Sequence, residues 1–367
     1  MDVKNCRAIR TGRHNVGKVR QQEFQEYKQT NEKLKMDHRT GNDTILLVQA
    51  TDHPIQFPRS VTIFAAACAI LFSIVGVVGN LVTVIALLRY ARLRRHATTA
   101  FVISLSVSDL IFAAVNLPLT ASRYLNEAWV LGETLCQVFP LFFYGNVAVS
   151  LLSMVAITIN RYVLISRAEI YAQIYTRRGI TLMLIAIWTL SFSLLIPPLL
   201  GVWGTLGLDP ATFSCTILKK DGKSPKKLLF VVGFLVPCLV IIVSYLCIYW
   251  KVRTSRKNLE AHTGGARRKK TGFQRREDSR VTRLMLTIFL CFLLCFLPLM
   301  LANVIDDQIK IPVLHVVASL LAWASSVVNP FIYAGTNKLY REAYRHFFAI
   351  LKYFRLACSN PPENRRE

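Results

Sequence analysis

Acidic residues are scarce in this sequence. Its 367 residues hold 21 Asp and Glu against 45 Lys and Arg, a formal net charge of +24. Charge of either sign is thin, at 18% of the chain, while 53% is hydrophobic. That balance points to a membrane protein rather than a soluble domain. A nucleic-acid binder carries its basic residues on folded polar faces. Here they fall between apolar runs, a membrane pattern that excludes nucleic acid as a partner. Other absences narrow the class further. There is no CxxC pair or His/Cys cluster to hold zinc. The apolar/polar alternation of a membrane barrel is missing. Residues 1–58 contain no apolar leader core.

What is present is a set of seven apolar runs, at approximately 61–88, 98–122, 137–165, 179–201, 228–250, 284–304 and 312–334. Each is long enough to cross a hydrocarbon layer of about 30 Å as a helix. Lipid offers no hydrogen-bond partners, so each run must satisfy its own backbone, and the fold class is an all-α membrane bundle of seven transmembrane helices. The loop at 89–96 is basic (Arg89, Arg92, Arg94, Arg95), as are 161–178, 251–283 and the tail after 334. The intervening loops carry fewer bases. The positive-inside rule then puts the basic loops in the cytoplasm and the N-terminus outside.

Three regions follow: an extracellular, disordered tail at 1–58, the bundle at 59–335, and an amphipathic cytoplasmic helix with a short tail at 336–367. In the first, Asn42-Asp43-Thr44 is a glycosylation sequon; Met36 is an alternative start. In the last, Leu339, Ala343, Phe347, Ile350 and Phe354 recur near helical spacing within a basic segment, as in a helix lying on the inner leaflet among membrane lipids. Cys358 just beyond it is a palmitoylation candidate or a plain thiol. ARRKK at 266–270 meets anionic lipid or a cytosolic partner, or is solvated.

Of nine cysteines, five lie in apolar runs and read as packing residues. Cys136 and Cys215 both fall at the oxidising face, where a disulfide between them would close a large loop.

Asp109 is the one acid inside an apolar run. An ionisable group there costs about 2.5–3.5 kcal/mol on insertion scales, so it marks a functional candidate. Asn80, Asn146, Ser150, Ser325, Ser326 and Asn329 lie in neighbouring runs. If their faces converge they cage the carboxylate with oxygen donors suited to Na⁺ or a proton; a water-filled packing network is the equal alternative. Pro118, Pro237, Pro298 and Pro330 interrupt runs as kinks or hinges.

Taken in order, GN at 79–80, SLSVSDL at 104–110, Trp129 before Cys136, NRY at 160–162, Trp188, Pro237 with Tyr245, CFLP at 295–298 and NPFIY at 329–333 resemble the rhodopsin-like G-protein-coupled receptors. The resemblance covers about residues 60–355. HATTAFVISLSVSDL and LCFLPLMLANV narrow it to an insect orphan-receptor subgroup, which implies roles in cell migration, polarity or epithelial barriers.

The resemblance implies a plasma-membrane receptor that is not an enzyme and works through heterotrimeric G proteins, with arrestin as a further partner. Asn160, Arg161 and Tyr162 would form the coupling motif, with an amide where the family usually has an acid. Asp278, at the base of the sixth run, would pair with Arg161 at rest, or stand solvated. Tyr245 and Tyr333 match switch tyrosines, and Asn329 and Pro330 the hinge. Phe296 takes the place of a switch tryptophan, with Phe292 one turn earlier. Phe143 stands where amine receptors have an acid, and Trp323 where opsins have lysine, so neither an amine nor retinal is expected. Tyr124, Phe139, Phe142, Phe143, Phe234 and Trp323 would line an apolar cavity rimmed by Arg123, Lys219, Lys220, Lys226 and Lys227, suited to an anionic lipid. The rival classes are an ion-coupled transporter using Asp109, which would need repeats that are not evident, and an intramembrane protease, which would need a second acid.

Overall fold

The structure is a computed structural model that describes residues 57–94, 96–209, 212–220, 225–262, 268–305 and 311–359. Asn42 lies outside these residues, and the side chains of Lys227, Asp278 and Cys358 are outside the described part as well. Seven helices are long and apolar enough to span a bilayer: α1 Arg59–Arg89, α2 Ala97–Asn126, α3 Glu133–Ser166, α4 Arg177–Leu199, α5 Leu228–Thr254, α6 Arg280–Asn303 and α7 Pro312–Thr336. An eighth, α8 Lys338–Ser359, follows. Helical backbone continues past the apolar part of α5 to His262 and begins before that of α6 at Arg268.

Burial separates inner from outer helices. Of α2's apolar stretch 61% is enclosed, against 17% for α4. α2, α3 and α7 therefore form the middle of the bundle, and α1, α4 and α5 turn most of their surface outward.

Proline positions shape the backbone. α2 contains a π-turn, Phe112–Asn116, just before Pro118. Within it the Leu117 N–H bonds to Phe112 O. Ala113 O would next look to residue 118, which as proline has no N–H. Ser73 of α1 supplies the missing donor at 2.7 Å. α5 also has a π-turn, at Val231–Leu235 just before Pro237. In α7, Pro330 cannot donate to Ser326 O, and Asn80 of α1 does so at 2.8 Å. The GN and NP motifs thus meet in space. A Cβ on Gly79 would lie 3.2 Å from the Pro330 ring, so glycine lets α1 come this close to α7.

A two-stranded antiparallel hairpin joins α4 to α5: β1 Thr205–Asp209 and β2 Ser214–Leu218, with Leu208 opposite Cys215. The sequence pattern predicts only a loop here. The strands are five residues each, too short for alternation to stand out. Cys136 and Cys215 form a disulfide with Cα atoms 5.2 Å apart, which pins β2 to the start of α3.

α8 docks against α1. Asn337 Oδ1 accepts from the Leu339 N–H at its start (2.9 Å), and Arg341 donates to the last carbonyls of α7, Ala334 O and Gly335 O. Tyr344 and Thr83 hydroxyls meet at 2.9 Å, and Tyr90 donates to Glu342 at 3.2 Å.

Candidate functional site

Three layers of functional candidates stack along the bundle. The middle one centres on Asp109, buried on α2. Its Oδ1 accepts from Ser150 Oγ at 3.1 Å and its Oδ2 from Asn329 Nδ2 at 2.7 Å, so α2, α3 and α7 converge on one carboxylate. Ser108 Oγ donates to Asn146 O, and the Asn146 amide has no partner among the described residues. A cavity of about 10 Å³, room for a single water-sized centre, opens between Asp109, Asn146, Ser150, Phe292 and Phe296, with Ser325 and Ser326 on its α7 wall. The two α7 serines donate to carbonyls of their own helix. Asn80 departs from the expected cage. Its side-chain N–H groups donate to carbonyls, Gly76 O and Ser326 O, the second being the carbonyl that Pro330 leaves without its helical donor. It holds the α1–α7 seam and does not line the cavity.

At the end of α3 remote from the disulfide, Arg161 is 6% exposed. Asn160, fully buried, is committed elsewhere: its Oδ1 accepts from Thr98 Oγ1 at 2.8 Å and its Nδ2 donates to the Tyr171 hydroxyl at 3.2 Å. The amide ties α3 to the start of α2 and to a short helix, Ala168–Ile174. Thr98 and Tyr171 were missed in the sequence, where no spacing links them to residue 160. Tyr162 is half-buried. The Tyr245 and Tyr333 hydroxyls are buried with no partner among the described residues. Tyr333 stacks on Tyr340 of α8, centroids 5.2 Å apart. Burial pushes the Tyr340 phenol up, and the nearby Arg161 charge partly opposes this. Phe292 and Phe296 stack at 4.5 Å on α6.

The third layer is a pocket of about 280 Å³ at the disulfide end. Arg123, Tyr124, Phe139, Phe143, Phe234 and Trp323 all line it. Phe142 does not. It lies 38% exposed and packs edge-on against Phe192 of α4, since one residue's step turns it about 100° from Phe143. The basic rim is also smaller than expected. Lys226 joins Arg123 in the lining, with His315 and Asp209, while Lys220 turns away to Gly201 O. Arg123 sits over the Tyr124 ring at 4.4 Å and donates to Thr212 O in the hairpin turn.

A disulfide-stapled seven-helix bundle with a buried carboxylate at mid-depth and a buried arginine at one end of α3 is the architecture of a rhodopsin-type membrane receptor. The sequence profile described as "7 transmembrane receptor (rhodopsin family)" matches residues 79–333, and the chain belongs to that family.

Within the family, it is 56% identical over 315 residues to Protein trapped in endoderm-1 of Drosophila melanogaster, covering 81% of this chain and 80% of that protein. It is 35% identical over 346 residues to G-protein coupled receptor moody of the same fly, 79% of this chain but 52% of that protein, so it spans about half of moody's length. Both are insect proteins of the subgroup that the motifs resemble. Squid rhodopsin shares the fold, with a TM-score of 0.72 at 24% identity, covering 85% of this chain and 92% of that one. The family model and the name of moody are those of receptors, which leaves the transporter reading of Asp109 without support.

Proposed function

We propose that this receptor sits in the plasma membrane with its N-terminus outside and passes an extracellular ligand signal to heterotrimeric G proteins. The observation that supports this most directly is Phe296 on α6, which borders both the outer pocket and the small Asp109 cavity. A ligand that displaces Phe296 acts on α6 two residues before Pro298, where the missing backbone bond permits a hinge. The far half of α6 then swings outward and opens the Arg161 end to the G protein, with arrestin as a later partner at the same face. Tyr245 and Tyr333, whose hydroxyls have no partner among the described residues, would meet through water in the open state.

Asp109, Ser150 and the Asn146 side-chain oxygen, which has no partner among the described residues, are hard oxygen donors around a cavity of the right size for one small ion, and they would hold Na⁺ in the resting state. Asp278 would pair with Arg161 across α3 and α6 at rest. α8 would lie on the inner leaflet, anchored through Cys358, and Asn42 would carry glycan. By resemblance to the insect subgroup, the cellular role is migration, polarity or epithelial barrier formation.

A panel of G-protein activation assays in cells tests the reading. At matched surface levels, the native chain should raise activation of at least one G-protein class above the Arg161→Ala variant. Equal output from the two across the whole panel would overturn it.

A further inference from the structure

We infer that the outer pocket takes a single-chain amphiphile with an anionic head, bound head-first on Arg123 with its hydrocarbon chain in an arm between α3, α4 and α5. The inference rests on the receptor reading above and names the ligand class of that same pocket.

Three observations carry it. The first is an orphaned donor. Arg123 spends Nη1 on Thr212 O, but its buried Nε–H has no acceptor among the described residues. Buried polar groups in folded proteins are paired. Arg123 lines the pocket with its Cζ 4.4 Å from the Tyr124 ring centroid, and the Nε–H, covered by neighbouring atoms, would be reached by a carboxylate or phosphate oxygen once the head displaces that cover. The second is the composition of the wall. Bases (Arg123, Lys226) and His315 share it with one acid, Asp209; Tyr144, Asn303 and Ser319 add polar groups, and the arm is apolar apart from Ser191. The third is shape. The pocket runs past α3 to Ser191, Leu194 and Leu195 on α4 and to Leu229, Phe230 and Gly233 on α5. α4 and α5 are outer helices that face lipid. Gly233 sits in the π-turn, and a Cβ there would meet nothing within 4 Å. The arm therefore ends in open space that a side chain could fill without strain. An apolar arm leading toward the bilayer side suits a hydrocarbon tail.

The test is direct binding rather than signalling. Purified full-length receptor in nanodiscs would be labelled with a photoreactive diazirine fatty acid. Competitors would be oleate and lysophosphatidate, and their neutral counterparts oleyl alcohol and monoolein. Label is expected on residues of the α3–α4–α5 arm. At least one anion should compete at about tenfold lower concentration than its neutral counterpart, the gain of one charge-assisted contact. Oleate ahead of lysophosphatidate would mark the head as a carboxylate, and the reverse order as a phosphate.

Arg123→Gln should erase the anion preference while labelling persists. Arg123→Lys, which keeps the charge but not the fork, should retain part of it. A change in hairpin packing alone would weaken anions and neutral lipids alike, and would overturn the head-group assignment. Gly233→Phe should exclude long-chain competitors and keep short-chain ones. Label confined to lipid-facing residues, or equal competition by neutral lipids, would overturn the proposal. Guanine-nucleotide exchange measured on the same preparation keeps the two readings apart. Labelling without exchange would sink the G-protein reading alone, and exchange without pocket labelling the ligand class alone.

Discussion

Asn80 donates its side-chain N–H to the backbone carbonyl of Ser326, 2.8 Å away on a helix 246 residues later in the chain. The carbonyl is available because Pro330, one turn on, has no hydrogen to give it. A single amide therefore repairs the break in α7 and fixes α1 against it, and Gly79 clears the space for the approach.

Asn80→Ala should lower receptor stability by about 1–3 kcal/mol, the cost of stranding a buried carbonyl. Thermal unfolding of purified receptor followed by a thiol-reactive dye would show it. A midpoint equal to the native one would mean that water or a shifted helix takes over the bond.

Removing the disulfide should act on the outer layer. The bridge joins residues 79 apart, and the loop-closure entropy it removes from the unfolded chain corresponds to about 4–5 kcal/mol. Cys136→Ser and Cys215→Ser should each reduce surface expression and photolabelling of the outer pocket. The double variant should be no worse than either single one. Additive losses would indicate separate roles for the two thiols.

The spans were legible in the sequence because a helix in lipid must close its own hydrogen bonds, which leaves an unbroken apolar run as its signature. Asp109 was legible for the converse reason, as the one acid in such a run. What could not be read was which face of each helix turns inward. Phe142 and Phe143 are neighbours in the chain but about 100° apart on α3, and only one reaches the pocket. The partners of Asn160, Thr98 and Tyr171, sit on other elements at separations that no local pattern encodes. The π-turn of α2 combines a proline with a donor on a neighbouring helix, and Ser73 could not be paired with Ala113 before the helices were assembled.

Asp109→Asn should abolish stabilisation by sodium. A ligand that binds only the folded state stabilises by RT ln(1 + [L]/Kd), about 2.7 kcal/mol at a hundredfold excess over Kd. The native receptor should melt higher in NaCl than in an equal concentration of choline chloride. The variant should melt at the same temperature in both. A native receptor indifferent to the exchange would show the cavity to be a water site.

Asn160→Asp should reduce ligand-free signalling. The carboxylate still accepts from Thr98, and the Tyr171 hydroxyl can turn to donate to it, so both ties survive. The added negative charge next to Arg161 favours the closed state by an amount that, even at the 0–1 kcal/mol typical of exposed pairs, lowers basal exchange by up to about fivefold. Asp278→Ala should move basal exchange the other way. Nucleotide exchange by purified receptor without ligand would measure both. A rise in the first variant, or no change in the second, would remove the corresponding residue from the resting restraint.

The docking of α8 should weaken in alkali through Tyr344. Burial pushes its phenol up from 10.0 to about 12, with the Thr83 hydroxyl bond acting in the opposite direction. The folded state therefore favours the neutral phenol. Its contribution is complete below the ordinary tyrosine value and is lost as pH rises from about 10 towards 12, because only the undocked tyrosine ionises readily in that window. Hydrogen exchange of α8 amides should accelerate across this window beyond the intrinsic base-catalysed rate. Tyr344→Phe should expose α8 slightly at neutral pH, by about 1 kcal/mol for the lost bond to Thr83, and should flatten the alkaline step. If the step keeps its size in the variant, the more deeply buried Tyr340 carries it, and α8 is held by the stack on Tyr333 rather than by its hydroxyl contact with α1.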